Sequence, residues 1–303
     1  MIHEYAVDPA LLCDKERFRY LTEHFGVHKG RLISRYPKRW KRLVYKGVAE
    51  LSEMQRKWIE DRLATIDEKM VKRKSEWIEG QGWLNNAEFE HTRRPFHAIL
   101  AMANPSERDY ILTDDDLDEE ALLWKVESEI TVSRSPQALA SAVAPLLRIS
   151  RKIFFIDPYI DPYKPRSRKT LEAFLRACLV NRPSNIQLAR IEFHTKYREE
   201  IGHFFSECER QFPKIVPTGY TLRILRWEEK QGGDGFHNRY ILTERGGIRF
   251  TWGLDAGSPA QTDDLSLCQP EVYKMRWNQF FGDQPAFDLK EDFEIAGKKH
   301  INT

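Results

Sequence analysis

Cysteine is scarce: Cys13, Cys178, Cys208 and Cys268 are the only four in 303 residues, and they lie far apart with no C-x-x-C pair. That spacing excludes a disulfide framework and a paired-cysteine zinc site, and it predicts a reducing cytoplasm as the compartment. Long apolar runs are missing too. None approaches the roughly eighteen residues that a membrane-spanning helix takes, so no span is expected. The opening MIHEYAVDPALLCDKERF does not pass from basic to apolar as a signal peptide does, so export is not expected. There is no internal repeat and no low-complexity linker. What remains is a chain of 41% hydrophobic residues, enough to build a core in each of two ordinary domains without staples. No metal or other cofactor is expected.

Net charge is nearly absent as well, at +2, but the average conceals a pattern. Residues 1–100 carry 20 Lys and Arg against 15 Asp and Glu, and residues 101–130 carry 2 against 10. The densest basic stretch is HKGRLISRYPKRWKRLVYKG, where eight cations and no acid lie between Lys29 and Lys46. Lys29, Arg31, Arg35, Lys38, Arg39, Lys41, Arg42 and Lys46 are candidate phosphate contacts. Trp40 among them is a candidate ring for stacking on an unpaired base, with Tyr36 and Tyr45 nearby. The alternatives are an acidic membrane surface, or a solvated basic face whose aromatics, four and five residues apart, are simply buried on one side of a helix. The acidic run TDDDLDEE, residues 113–120, lacks the glycine and spaced ligands of a calcium loop and reads as a solvated linker, the alternative being a mimic of nucleic acid that covers the basic run.

The order of elements divides the chain there, into a mostly helical basic module over 1–120 and an α/β domain over 121–303. In the first part, Asp8-Pro9 reads as a helix cap and first turn. Ile59, Leu63, Ile66 and Met70 recur at helical spacing within a predicted helix from Leu51 to about Lys74, and FHAILAMANP predicts a strand. In the second, Ser135-Pro136 opens a helix that runs into KIFFIDPYI, a buried strand. Helix, strand NIQLARIEFHT and helix follow, the last with Ile201, Phe204, Phe205 and Cys208 on its apolar face. YTLRILRW, HNRYILT and GIRFTWGL are then three strands in succession, the last two joined through Gly246-Gly247. The expectation is a mixed sheet flanked by helices.

IDPYI at the end of the first strand, HNRYILT on a late strand and WGLD closing the next resemble one half of the phospholipase D-like fold. The match is to the divergent single-motif domain at the C-terminus of eukaryotic proteins with a microtubule-interacting and transport domain, and in bacterial relatives. It covers about residues 133–285 and leaves the first 120 unassigned. Hydrolytic members carry His-x-Lys-x4-Asp followed by Gly-Ser and Asn. The resemblance therefore implies His237 as a nucleophile forming a phosphohistidine, Arg239 in the place of Lys, Glu244 in that of Asp, and Gly253, Leu254 and Asp255 near the Gly, Ser and Asn. Arg239, Asp157, Tyr159 and Asp255 become candidate phosphate-site residues.

A second imidazole must protonate the leaving oxygen. His194-Thr195-Lys196 is one candidate, and a second copy of the chain in a homodimer is the other. Three functional readings stay open. One is a nucleic-acid-associated, metal-independent phosphodiesterase or nuclease, with phage or mobile-element defence and a larger complex implied by the bacterial relatives. The second is a non-catalytic adaptor that binds a protein partner, and the third is binding of acidic phospholipid. A purely structural His237–Arg239 pair is the bland alternative to all three. His91 and His97 are expected to be structural.

Overall fold

The computed structural model describes residues 1–117, 121–199 and 203–298. The chain forms two compact units, one of Met1–Ser128 and one that starts at Glu129, with the loop Pro183–Asn185 aside.

The first unit is an α/β layer structure. Its elements are β1 (His3–Val7), α1 (Lys15–His24), β2 (Arg31–Arg35), α2 (Trp40–Gly47), α3 (Glu53–Thr65), β3 (Met70–Lys72), α4 (Trp83–Arg93), β4 (Ala98–Leu100) and β5 (Ile111–Leu112). The strands are parallel in the order β3-β2-β1-β4-β5. Parallel sheets need cover on both faces, and β1 shows how it is supplied. Tyr5 and Val7 join one core with Phe18, Ile33, Trp40, Val44 and Leu63. Ala6, between them in sequence, faces a second core with Tyr36, Ala87, Phe96 and Ile99.

Two expectations are corrected here. Helical residues outnumber strand residues in this mostly helical unit, and a five-stranded parallel sheet organises them. The predicted helix from Leu51 to Lys74 stops at Thr65; a short 3-10 turn carries Ile66, and Met70 begins β3. A turn of this kind keeps Ile59, Leu63, Ile66 and Met70 buried together, so the apolar spacing outlasts the helix. The unit also runs past residue 120. Trp124 is buried in its core, and its carbonyl accepts from the guanidinium of Arg31, which lies 4.4 Å from the Trp124 ring. Within the acidic run, Asp114 pairs with Arg17 and Asp116 closes a capping box with Thr113; Asp118, Glu119 and Glu120 lie outside the described residues.

The second unit is built on an eight-stranded mixed sheet, as the α/β expectation requires. Its elements are β6 (Glu129–Ser133), α5 (Pro136–Ile149), β7 (Lys152–Ile156), α6 (Pro165–Leu179), β8 (Arg190–Lys196), α7 (Phe204–Gln211), β9 (Thr221–Glu229), β10 (Arg239–Thr243), β11 (Gly246–Phe250), β12 (Thr262–Leu267), α8 (Pro270–Phe281) and β13 (Phe287–Ala296). The order is β13-β9-β8-β7-β10-β11-β12-β6, with β7, β8 and β9 parallel and the other pairings antiparallel. Alternation along β7 assigns the faces. Phe154 and Ile156 share a core with Trp277, Phe280 and Phe281 of α8. Phe155 stacks on Phe174 of α6 and on Phe193 of β8. Ile201, expected on a helix face, lies outside the described residues.

The β10–β11 hairpin differs from its sequence reading in one detail. Thr243 pairs with Gly246, so Glu244 and Arg245 form the turn and both glycines belong to β11. Gly246 is at φ 155°, and a side chain on Gly247 would come within 2.6 Å of Leu242. No helix among the described residues is long and apolar enough to cross a membrane.

Candidate functional site

β10 runs antiparallel to β7, with Tyr240 opposite Ile156. The start of β10 therefore meets the carboxyl end of β7, and His237, Arg239, Asp157 and Tyr159 are brought together at one edge of the sheet. Ligands of open α/β sheets collect at such edges. The Tyr159 hydroxyl and His237 Nδ1 form a hydrogen bond of 3.1 Å, and the Arg239 guanidinium lies over the Tyr159 ring at 5.0 Å. When Nδ1–H donates to the phenol oxygen, Nε2 keeps a free lone pair, the tautomer that attack on phosphorus needs.

Asp157 organises the backbone around the site. It is buried, Oδ1 accepts from the Tyr159 N–H at 2.8 Å, and Oδ2 accepts from the Leu254 N–H at 2.7 Å. One carboxylate thus ties the IDPYI loop to the WGLD turn. Burial pushes its carboxyl above the ordinary carboxylate range; the two N–H donors and Arg239 counter that shift, and Asp255 adds to it. Gly253 sits in this junction at φ 159°, where a Cβ would lie 3.2 Å from the Asp157 carboxylate.

Asp255 would repel a phosphate if it were unpaired. It is held instead by Arg134 and Arg166, each at 2.8 Å. These two cations were not among the sequence candidates. With Lys164, Arg198 and Arg239 they line a cavity of about 410 Å³ whose wall also includes Asp157, Tyr159, Trp252 and Asp255. Five cations against two carboxylates leave the cavity positive. Arg134 is more than nine-tenths buried, and its Nε has no hydrogen-bond partner; the Nε atoms of Arg198 and Arg239 are in the same condition. A sequence signal for this existed. YKPRSRKT places Lys164, Arg166, Arg168 and Lys169 around the start of α6 with no acidic residue in the first turn. Cations at a helix N-terminus oppose the macrodipole, and a bound anion relieves both.

Two sequence candidates fall away from the site. Glu244 lies at the far end of β10, where its carboxylate accepts from the Arg151 and Lys152 N–H groups at 2.6 and 2.9 Å and fixes the hairpin turn against the start of β7. The five-residue strand between it and Arg239 separates the two by its whole length. His194 is fully buried on the α8 side of the sheet, accepting from Trp227 Nε1 at 3.1 Å and bonded to Glu192 at 3.1 Å. It does not share a site with His237.

Burial lowers the His194 pKa, while the hydrogen bond and charge of Glu192 partly restore it, and Arg190 and Arg223 lower it further. A depressed value means that the stability it confers is present above the unfolded pKa of about 6.5 and is lost as pH falls through the folded one. Asp157 and Asp263, both raised, act in the opposite direction above the usual Asp range. The diagnostic is therefore a difference. The stability gap between wild type and His194→Gln, from urea melts, should narrow below pH 6.5 by up to about 1.4 kcal/mol per pH unit.

The basic run is split between two roles. Arg35, Lys38, Arg39, Lys41 and Arg42 line a groove of about 650 Å³ together with Tyr45 and Trp77, at the carboxyl end of β2. Lys38 and Arg42 are exposed there, Arg39 and Lys41 also pair with Glu79 and Asp67, and Lys46 is exposed but does not line the groove. Trp40 is not a nucleic-acid contact: it is fully buried and donates to the Val7 carbonyl at 2.7 Å. Tyr36 is buried too and donates to the Asn86 carbonyl. Arg31 is occupied by Trp124, and exposed Lys29 precedes β2 at the end of the sheet opposite the groove. His91 stacks on Tyr110, and the His97 ring packs at a tilt against that of His3.

No family model and no curated protein matches the chain. Among solved structures it is similar to TrmBL2, an archaeal chromatin protein whose structure shows a novel mode of DNA binding. The identity is 13% and the TM-score 0.26, over 54% of this chain and 55% of that one. The likeness spans about half the length of each chain and is too low to mark a shared fold.

Proposed function

We propose that the second unit is a phospholipase D-like phosphodiester-binding unit, and that the protein acts on nucleic acid. The observation that carries this reading is the cavity beside His237, where five basic side chains converge and three guanidinium nitrogens are buried without partners. Leaving a buried donor unpaired costs about 1–3 kcal/mol, more when it is charged. A phosphate supplies several acceptor oxygens at once and binds guanidinium groups in a bidentate manner. Arg239 in place of Lys suits that task. Asp255, already neutralised by Arg134 and Arg166, serves as a brace for them.

The cleavage reading extends this. His237 Nε2 attacks phosphorus, the bond to the leaving oxygen breaks, and a phosphohistidine forms that water then hydrolyses. The leaving oxygen needs a proton; His237 stands exposed beside the cavity, bonded to Tyr159 of its wall, and no imidazole among the described residues lines the cavity itself. A second copy of the chain is the source that fits, with the two His237 side chains meeting at a two-fold axis. Cytoplasmic nucleic acid is the setting, and a defence role follows only from the bacterial relatives.

The groove on the first unit supplies affinity. Exposed Lys38 and Arg42, beside the exposed ring of Tyr45, match what single-stranded nucleic acid needs in a sequence-independent contact. Lys38→Glu with Arg42→Glu should weaken oligonucleotide binding and reduce the slope of log K against log salt by about 1.4, at roughly 0.7 for each single-strand phosphate contact. Arg239→Ala should reduce binding of a phosphodiester to the second unit at least tenfold, and EDTA should leave any hydrolysis unchanged. Wild-type affinity in Arg239→Ala would remove the reading.

A further inference from the structure

Two aromatic rings stand at the rim of the cavity that Arg239 lines, and neither is needed by the core. Trp252 is 62% exposed and Tyr159 is 44% exposed. We infer that Trp252 is a stacking platform for an unpaired base, so that the ligand of this site is single-stranded nucleic acid. The inference rests on the phosphodiester reading and names its substrate class.

The position of Trp252 is built, although its ring is in solvent. Its backbone N–H donates to Asp263 Oδ1 at 3.0 Å, as does that of Thr251 at 3.1 Å, and Asp263 is itself buried. Arg134, one of the cavity cations, has its guanidinium 5.8 Å from the Trp252 ring centroid. A phosphate bound by Arg134 therefore lies beside an open indole face. On the other side Tyr159 is fixed by His237 through its hydroxyl and covered by Arg239.

Ligand classes differ in what they bring to such a place. A single strand carries a base within one sugar of each phosphate, and every base has a π-face to lay on the indole. A duplex keeps its bases stacked on one another, and lipid headgroups carry no aromatic ring. The exposed ring thus selects among phosphodiesters that the cations alone would accept equally.

The test uses the full chain carrying Lys38→Glu and Arg42→Glu, which silences the groove of the first unit. Binding of decathymidylate is compared with an abasic strand of the same phosphate count, and 5-iodouracil-substituted decathymidylate is photolysed on the protein. Expected are a cross-link at Trp252 and a preference for the base-bearing strand. Trp252→Ala should lower decathymidylate affinity about 5- to 150-fold, the worth of one stacked base, with abasic binding unchanged. Trp252→Phe should restore most of it.

Equal binding of the two strands, an unaltered preference in Trp252→Ala, or cross-links only elsewhere would overturn the inference. So would competition by phosphatidylserine vesicles but not by oligonucleotide. Abasic binding that is lost in Arg239→Ala would meanwhile leave the phosphodiester reading standing. Abasic binding unchanged in Arg239→Ala would overturn both.

Discussion

Trp40→Ala should unfold the first unit. Its indole is fully buried with Tyr5, Val7, Leu11 and Val44, and its N–H donates to the Val7 carbonyl at 2.7 Å. Truncating a buried Trp typically costs about 3–5 kcal/mol, and the unpaired Val7 carbonyl adds to that. Stabilities of whole domains are about 5–15 kcal/mol, so the loss takes a large share. The measurement is a urea melt followed by circular dichroism, beside oligonucleotide binding. The expected result is an early unfolding transition and, for the fraction still folded, unchanged salt dependence. A well-folded Trp40→Ala with reduced binding would restore Trp40 to the nucleic-acid surface. Trp40→Phe should be intermediate, because it keeps the packing and leaves the carbonyl unpaired.

The same residue shows why the basic run could be read only in part. Eight cations at close spacing identify a surface, and the exposed groove of Lys38 and Arg42 is that surface. The run also contains β2, whose buried stretch Leu32–Ser34 is flanked by Arg31 and Arg35. Three buried residues are too few for strand alternation to be distinguished from noise. A central parallel strand is covered on both faces, so it lacks the polar alternation that marks an edge strand. In the second unit, β7 to β11 were legible because longer apolar runs alternate with helix caps. The edge strand β6 was not, since Glu129–Ser133 has only two half-buried positions.

The site divides in a similar way. His237, Arg239, Asp157, Tyr159 and Asp255 could be named from short motifs, because each motif marks the end of a strand and strand ends share an edge. Arg134 and Arg198 could not, because they arrive from β6's end and from the loop after β8, and pairing order alone decides that these ends are neighbours. Glu244 was drawn in by a spacing learned from hydrolytic members. In this chain that spacing spans a complete strand, and the carboxylate serves the hairpin at the other end.

On the proposed cleavage reading, His237→Ala should abolish phosphodiester hydrolysis, by roughly a thousandfold or more as expected for loss of a nucleophile. Binding of the phosphodiester should survive, because Arg134, Arg166 and Arg239 remain. Tyr159→Phe should cut the rate with less effect, since it removes the partner of His237 Nδ1 and leaves Nε2 in place. A mixing experiment then locates the second imidazole. If each active site uses His237 from two chains, an equal mixture of wild-type and His237→Ala chains, equilibrated by subunit exchange, retains about a quarter of the wild-type rate, since only wild-type pairs are competent. If each chain cuts alone, about half remains. A rate near one half would remove the composite site and leave His237 acting within a single chain, whereas cleavage that persists in His237→Ala would make the cavity a phosphate-binding surface in which His237 is not the nucleophile.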